Sequence, residues 1–274
     1  MYSADGHSTF SSNQVATLRI LFASLALLPF GIRAFKALDF RKDILPFSIV
    51  AICGNLAPAF LFTYAETGIS SGLAGMLNSI TPIFTILIAI FIFKDKMNYR
   101  QFVGTAIGFI GVGLLLYFGK QNSIEGEWSH IISVLGATLC YAISLSVIRY
   151  KLSHYKSLDI AAIAFLLLLL PSLVLFFTED TMNTFQNNVQ IWNSLSAILI
   201  LSIVGTALAL FIFNTIIKNT SALFASSVTY FIPIVAVVFG FFFNEVITAL
   251  QITGMLIALL GVFIANSNRR QKSS

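Results

Sequence analysis

Isolated polar groups stand inside long apolar stretches of the chain: Arg19, Asn55, Tyr64, Asn78, Thr81, Tyr141, Ser144, Asn214, Thr229 and Tyr230. These side chains donate or accept hydrogen bonds, and Arg19 adds a fixed charge. They do not form a bond-making constellation. Membrane hydrolases need a metal-binding His pair or paired carboxylates within the spans, and this sequence has neither. His7, His130 and His154 are scattered, and Cys53 and Cys140 sit singly in apolar runs, where cysteine serves as a small packing residue. The reading is therefore no catalytic residue, no metal and no cofactor. Each polar group alone suits a helix–helix hydrogen bond. Together they suit a mainly apolar cavity with a few orienting groups. A small amphipathic metabolite fits that lining, for example an amino acid or a drug-like cation. A sugar nucleotide would call for several buried cations, and only Arg19 is offered. That guanidinium either snorkels to the nearby end of its helix or meets an anionic solute. A pairing with Glu66 as a gate is a third arrangement open to it.

The elements that hold these residues carry their own signals. Ser71, Gly75, Asn78, Pro82 and Thr85 recur at spacings of four, three, four and three, so they share one helical face. Ala222, Ser226, Thr229, Pro233 and Ala236 repeat the arrangement. A face of this kind either lets helices approach closely or lines a cavity. Pro82 and Pro233 each break a backbone hydrogen bond and bend the helix. At membrane depth a freed carbonyl is tolerated only inside protein or beside water. Gly104, Gly108 and Gly111, echoed by Gly254, Ala258, Gly261 and Ala265, form a close-packing stripe.

Composition says where such helices live. The 274 residues are 57% hydrophobic and only 10% charged, against about 25% charged in soluble domains. A crossing helix takes roughly 20 apolar residues. Nine segments of that kind are expected, near 14–35, 44–65, 70–93, 101–119, 129–149, 158–177, 192–217, 221–243 and 247–266. Their continuous hydrophobicity argues for helices over barrel strands. The formal charge of +5 does not call for nucleic acid. If 33–43 lies inside, 14 of the 16 basic residues fall on inner connections or at the C-terminus. That asymmetry is the positive-inside signal. It predicts a multi-pass protein of a bacterial-type inner membrane with a cytoplasmic C-terminus. Trp128 and Trp192 fall near the outer interface.

The chain also repeats itself. Pro82 and Pro233 differ by 151 positions, and at that offset Phe62 meets Phe213, Ser70 meets Ser221 and Ala74 meets Ala225. At an offset of 150, Asp95 meets Glu245, Gln101 meets Gln251, Gly104 meets Gly254 and Gly111 meets Gly261. The acidic turns at 94–96 and 244–246 then fall on opposite sides of the membrane. Two inverted copies are expected, 1–120 and 121–274, with four and five helices. Inverted repeats are a common build of secondary transporters.

Several stretches carry a family resemblance: QVATLRILFASLALLPF at 14–30, ETGISSGLAGMLNSITPIFTILIAIFIFKDK at 66–96, GTAIGFIGVGLLL at 104–116, NTSALFASSVTYFIPIVAVVFGFFFNE at 219–245 and GMLIALLGVFIA at 254–265. In them the chain resembles the EamA-type proteins of the drug/metabolite transporter superfamily. That resemblance implies two five-helix units, of which the first helix is missing here. It also implies a glycine before the acidic residue, where this chain has Lys94 and Asn244. The expectation is an all-α polytopic membrane protein and not an enzyme. It would be an exporter of small metabolites or drug-like molecules working by alternating access. Its partners would be a small-molecule substrate and the bilayer, with a homodimer compatible and nucleic acid excluded. The alternatives are a non-transporting truncated protein or half of a larger assembly.

Overall fold

The computed structural model describes residues 10–36, 38–96, 98–122, 128–179, 181–187, 191–209, 212, 234–235, 238–239, 242 and 248–266. Every regular element among them is helical. In chain order these are α1 (Ser12–Phe35), α2 (Phe40–Ala65), α3 (Ser71–Phe91), α4 (Tyr99–Asn122), α5 (Trp128–Lys151), α6 (Ser157–Thr178), α7 (Thr181–Asn187), α8 (Ile191–Leu208) and α9 (Ala249–Asn266).

Six of these, α1, α2, α3, α5, α6 and α8, are long and apolar enough to cross a membrane, and Ala249–Ala265 is a shorter apolar helix. The expected count of nine is thus corrected to six among the described residues. The segment expected at 101–119 is a 24-residue helix with Tyr-Arg-Gln at one end and Gly-Lys-Gln-Asn at the other. The segment expected at 221–243 lies largely outside the described residues. Large apolar side chains stay uncovered on the spans, with Leu170 at 72% and Phe177 at 69% exposure. A water-facing surface would not expose such a band, and a lipid-facing one requires it.

The helices group into two compact units, Met1–Tyr64 with Val147–Asn219, and Ala65–Ser146 with Thr220–Ser274. Each takes helices from both sides of residue 120. In the first unit, α1 begins with a capping box. Ser11 Oγ accepts from the Gln14 amide at 3.2 Å, and Gln14 Oε1 accepts from the Ser11 amide at 3.1 Å. The two exchanges satisfy donors that a helix start leaves open. The Gln14 carboxamide also donates to the Glu179 carbonyl at 2.9 Å and to Thr184 Oγ1 at 3.1 Å, tying α1 to the end of α6 and to α7. Along α1, buried Thr17, Ser24 and Gly31 recur every seven residues. A methyl on Gly31 would stand 2.8 Å from the Ala162 carbonyl oxygen of α6. Lipid tails are as apolar as leucine, so helices in lipid associate through such close backbone approach.

In the second unit α4 packs along α9. A methyl on Gly111 would strike the backbone of Ala258 and Gly254, and one on Gly261 would strike the backbone of Gly108 and Gly104. At the offset of 150, Gly111 corresponds to Gly261, Gly108 to Ala258 and Gly104 to Gly254. The contact is therefore reciprocal: each helix presents the same positions to the other. Helix α3 ends at a turn in which Lys94 adopts the left-handed conformation, with φ of 56°. The resemblance noted in the sequence implies glycine at this place, the residue that accepts such a backbone without strain.

Candidate functional site

Two of the spans contain a wide turn. In α2 the backbone opens to a π-helical turn over Ile52–Leu56, and in α8 over Ile203–Leu208. Single π turns inside α-helices occur often at functional sites. Both belong to the first unit, and α1 packs beside each. Their starts, Ile52 and Ile203, differ by 151 positions, as do Gly54 and Gly205, and Asn55 and Thr206. In both, the polar residue after the glycine closes the widened loop. Asn55 Nδ2 donates to the Val50 carbonyl at 3.2 Å, and Thr206 Oγ1 to the Leu201 carbonyl at 3.3 Å. Each bond reaches five residues back, to carbonyls that themselves differ by 151 positions. Two turns of one construction therefore occupy equivalent places in the two sequence copies.

They differ in what approaches them. Arg19 of α1 donates its Nε proton to Thr206 Oγ1 at 3.3 Å. The guanidinium thus touches α8 through its Nε. Thr206 was absent from the sequence candidates. The signal that could have found it was the Gly205–Thr206 pair standing opposite Gly54–Asn55. Tyr64 lies exposed near the end of α2.

The second unit holds the other described candidates. Helix α3 tightens to a 3-10 turn at Asn78–Ile80 and resumes as an α-helix with Pro82 in its first turn, where proline's missing N–H is harmless. The Asn78 carbonyl accepts from the Thr81 amide, and its Oδ1 accepts from Thr81 Oγ1 at 3.1 Å. Thr85 Oγ1 donates to the Thr81 carbonyl at 2.9 Å. The break is thereby satisfied from within the helix. Gly75, Asn78, Thr81, Pro82 and Thr85 stay half-exposed, whereas Leu73, Leu77, Ile80 and Ile83 are buried. On α5, Ser144 is buried and Tyr141 half-buried. At the start of α5 the His130 ring lies flat on Gly68, with Nε2 3.4 Å from Thr67 Oγ1. Asn214, Thr229, Tyr230 and Pro233 lie outside the described residues.

A polar cluster closes one end of the first unit, where α1 leaves and α2 enters. Tyr155 donates to Asp43 Oδ2 at 2.6 Å, and His154 Nε2 stands 3.9 Å from the same oxygen. Phe47 packs edge-on against the Tyr155 ring. Burial first, and then the bond to Asp43, push the Tyr155 phenol above the ordinary tyrosine range. Among the described residues no group of His, Cys, Asp and Glu is placed to hold a metal ion.

Two segments, residues 2–117 and 128–267, match the sequence profile of the EamA-like transporter family. A "probable terminal-alkyne amino-acid exporter" of Streptantibioticus cattleyicolor is 25% identical, over 93% of this chain and 85% of that protein. The uncharacterized transporter YoaV of Bacillus subtilis is 25% identical, over 89% of this chain and 86% of its own. A solved structure described only as a crystal structure of a protein shares the fold. Its TM-score is 0.58 at 15% identity, covering 96% of this chain and 89% of that one.

Proposed function

Since the chain belongs to the EamA-like transporter family and is a multi-pass transporter of small molecules, we propose that it exports metabolites or drug-like solutes by alternating access between two inverted repeats. The first repeat takes residues 1–120 and the second 121–274. The observation that carries this reading is the doubled π turn at Ile52–Leu56 and Ile203–Leu208. One bend placed at one position in each copy is what a two-fold related pair of moving helices needs. The reciprocal seam of α4 and α9 supports the same symmetry, because a two-fold relation makes contacts run both ways. Export as the direction is supported by a relative named as an exporter. The basic residues support an inner-membrane location with the C-terminus inside.

The solute route draws on Arg19, Asn55, Tyr64, Asn78, Thr81, Tyr141, Ser144, Asn214, Thr229 and Tyr230, with Pro82 and Pro233 as bends. Its chemistry is orientation by single hydrogen bonds within a mainly apolar lining. No bond is made or broken, so no catalytic group is assigned.

The test compares small molecules inside and outside cells that lack or overproduce the chain. At least one solute is expected to fall inside and rise outside on overproduction, and to do the reverse in the null. Identical profiles in both strains would contradict export.

A further inference from the structure

Among the described residues, no ion pair meets the charge on Arg19. The residue lies seven positions past the start of α1, about 10 Å along the helix. One turn before it and one turn after it, Val15 and Phe22 pack on the buried cluster of Phe10, Leu18, Ile191 and Ile198. Val15, Arg19 and Phe22 are each half-buried, so this side of α1 lies along the edge of that contact. Among the described residues the guanidinium has one partner, the neutral Thr206 hydroxyl on Nε. No carboxylate lies within ion-pair distance of it among those residues. A cation held at that depth is costly unless an anion or water meets it. The side chain is half-exposed, and its one bond among the described residues uses Nε alone.

From this we infer that Arg19 is the anion-holding point of the transport site, and that the solute carries a carboxylate. The inference rests on the transport reading above. A guanidinium presents parallel N–H groups that match the two oxygens of a carboxylate. Thr206 fixes the side chain through Nε and so aims that fork, which makes Thr206 a positioning residue. The π turn places it there, since closing the loop to the Leu201 carbonyl sets the hydroxyl toward α1. The equivalent turn in α2 ends in neutral Asn55, and α6, the other helix beside that turn, contains no cation. Among the described residues, only the α8 turn has a cation bonded to it. A solute bound there has a fixed direction: its acid end lies at the α8 turn, and an uncharged or cationic end lies away from it.

The test uses the full chain in phosphatidylcholine vesicles. The probes are amphipathic amino and carboxylic acids and their primary amides. The wild type is expected to carry acids with a lower KM than amides. Arg19→Gln should lower the acid-to-amide ratio of kcat/KM by about tenfold or more, as loss of a charge-assisted bidentate pair does. Thr206→Val should raise KM for acids with kcat little changed, and Thr206→Ser should restore it. An unchanged ratio in both Arg19→Gln and Thr206→Val, with transport intact, overturns the inference and leaves the transport reading standing. Absence of transport of any probe by any form, with the export comparison also negative, defeats both. Vesicles containing phosphatidylglycerol separate a second source of oxyanion. If the acid preference disappears there in the wild type alone, the guanidinium holds a lipid phosphate and the solute assignment fails.

Discussion

Asp43 is 9% exposed and takes its shortest hydrogen bond, 2.6 Å, from the Tyr155 hydroxyl. Tyr155→Phe leaves that carboxylate short of a donor, which costs about 1–3 kcal/mol. Thermal unfolding of the purified chain in detergent should register the loss as a lower melting temperature. The pH dependence has a definite sign. The folded state holds the phenolic proton more tightly than the unfolded chain does. The stabilising contribution is therefore complete below the ordinary tyrosine pKa of about 10 and is lost as pH rises through the higher folded value. The phenylalanine variant should show a shallower loss of stability in that alkaline window; equal slopes would contradict the account. Legibility at this scale followed distance along the chain. The Asn78–Thr81 pair is local, three residues apart, and helical spacing alone brings the two together. Arg19 and Thr206 are 187 residues apart, and no spacing argument joins them. The bond from Arg19 to α8 was not among the arrangements that the sequence offered for it.

At the scale of elements, the seam of α4 and α9 tests small-residue packing with an internal control. Gly111 and Gly261 have no room for a methyl against the facing backbone, whereas Gly113 meets nothing within 4 Å. Backbone cannot yield as a flexible side chain does. Gly111→Ala should therefore destabilise by about 1–3 kcal/mol or more through overpacking. Gly113→Ala should be neutral or gain up to about 1 kcal/mol from helix propensity. Thermal stability of the two variants side by side measures this, and equal effects would contradict the seam. Glycine spacing marked both helices as close-packing before any coordinates, though not that they pack on each other. The π turns were not legible, because an α and a π turn have the same hydropathy. Only the repeated glycine and the polar residue after it mark them. The span count is six among the described residues against nine expected, and the segment at 221–243 lies largely outside them. The glycine missing before Asp95 was visible as a letter. Its consequence, a lysine at φ of 56°, emerged only from the backbone.

For the molecule as a whole, the family and the all-helical membrane class were legible because they rest on composition and on motifs spread along the chain. Which helices group together was not, since each compact unit takes segments from both halves. The account depends on two copies threaded through the bilayer with opposite polarity. The offsets of 150 and 151, the paired π turns and the reciprocal seam support it from three separate features. Opposite threading requires the turn at Asp95 and the turn at Glu245 to emerge on different faces of the membrane. Single cysteines at these two positions, in a chain lacking Cys53 and Cys140, can be labelled in intact cells with a membrane-impermeant thiol reagent. The account predicts labelling at 245 without disruption and at 95 only after the membrane is opened. Labelling of both from the same side would contradict it.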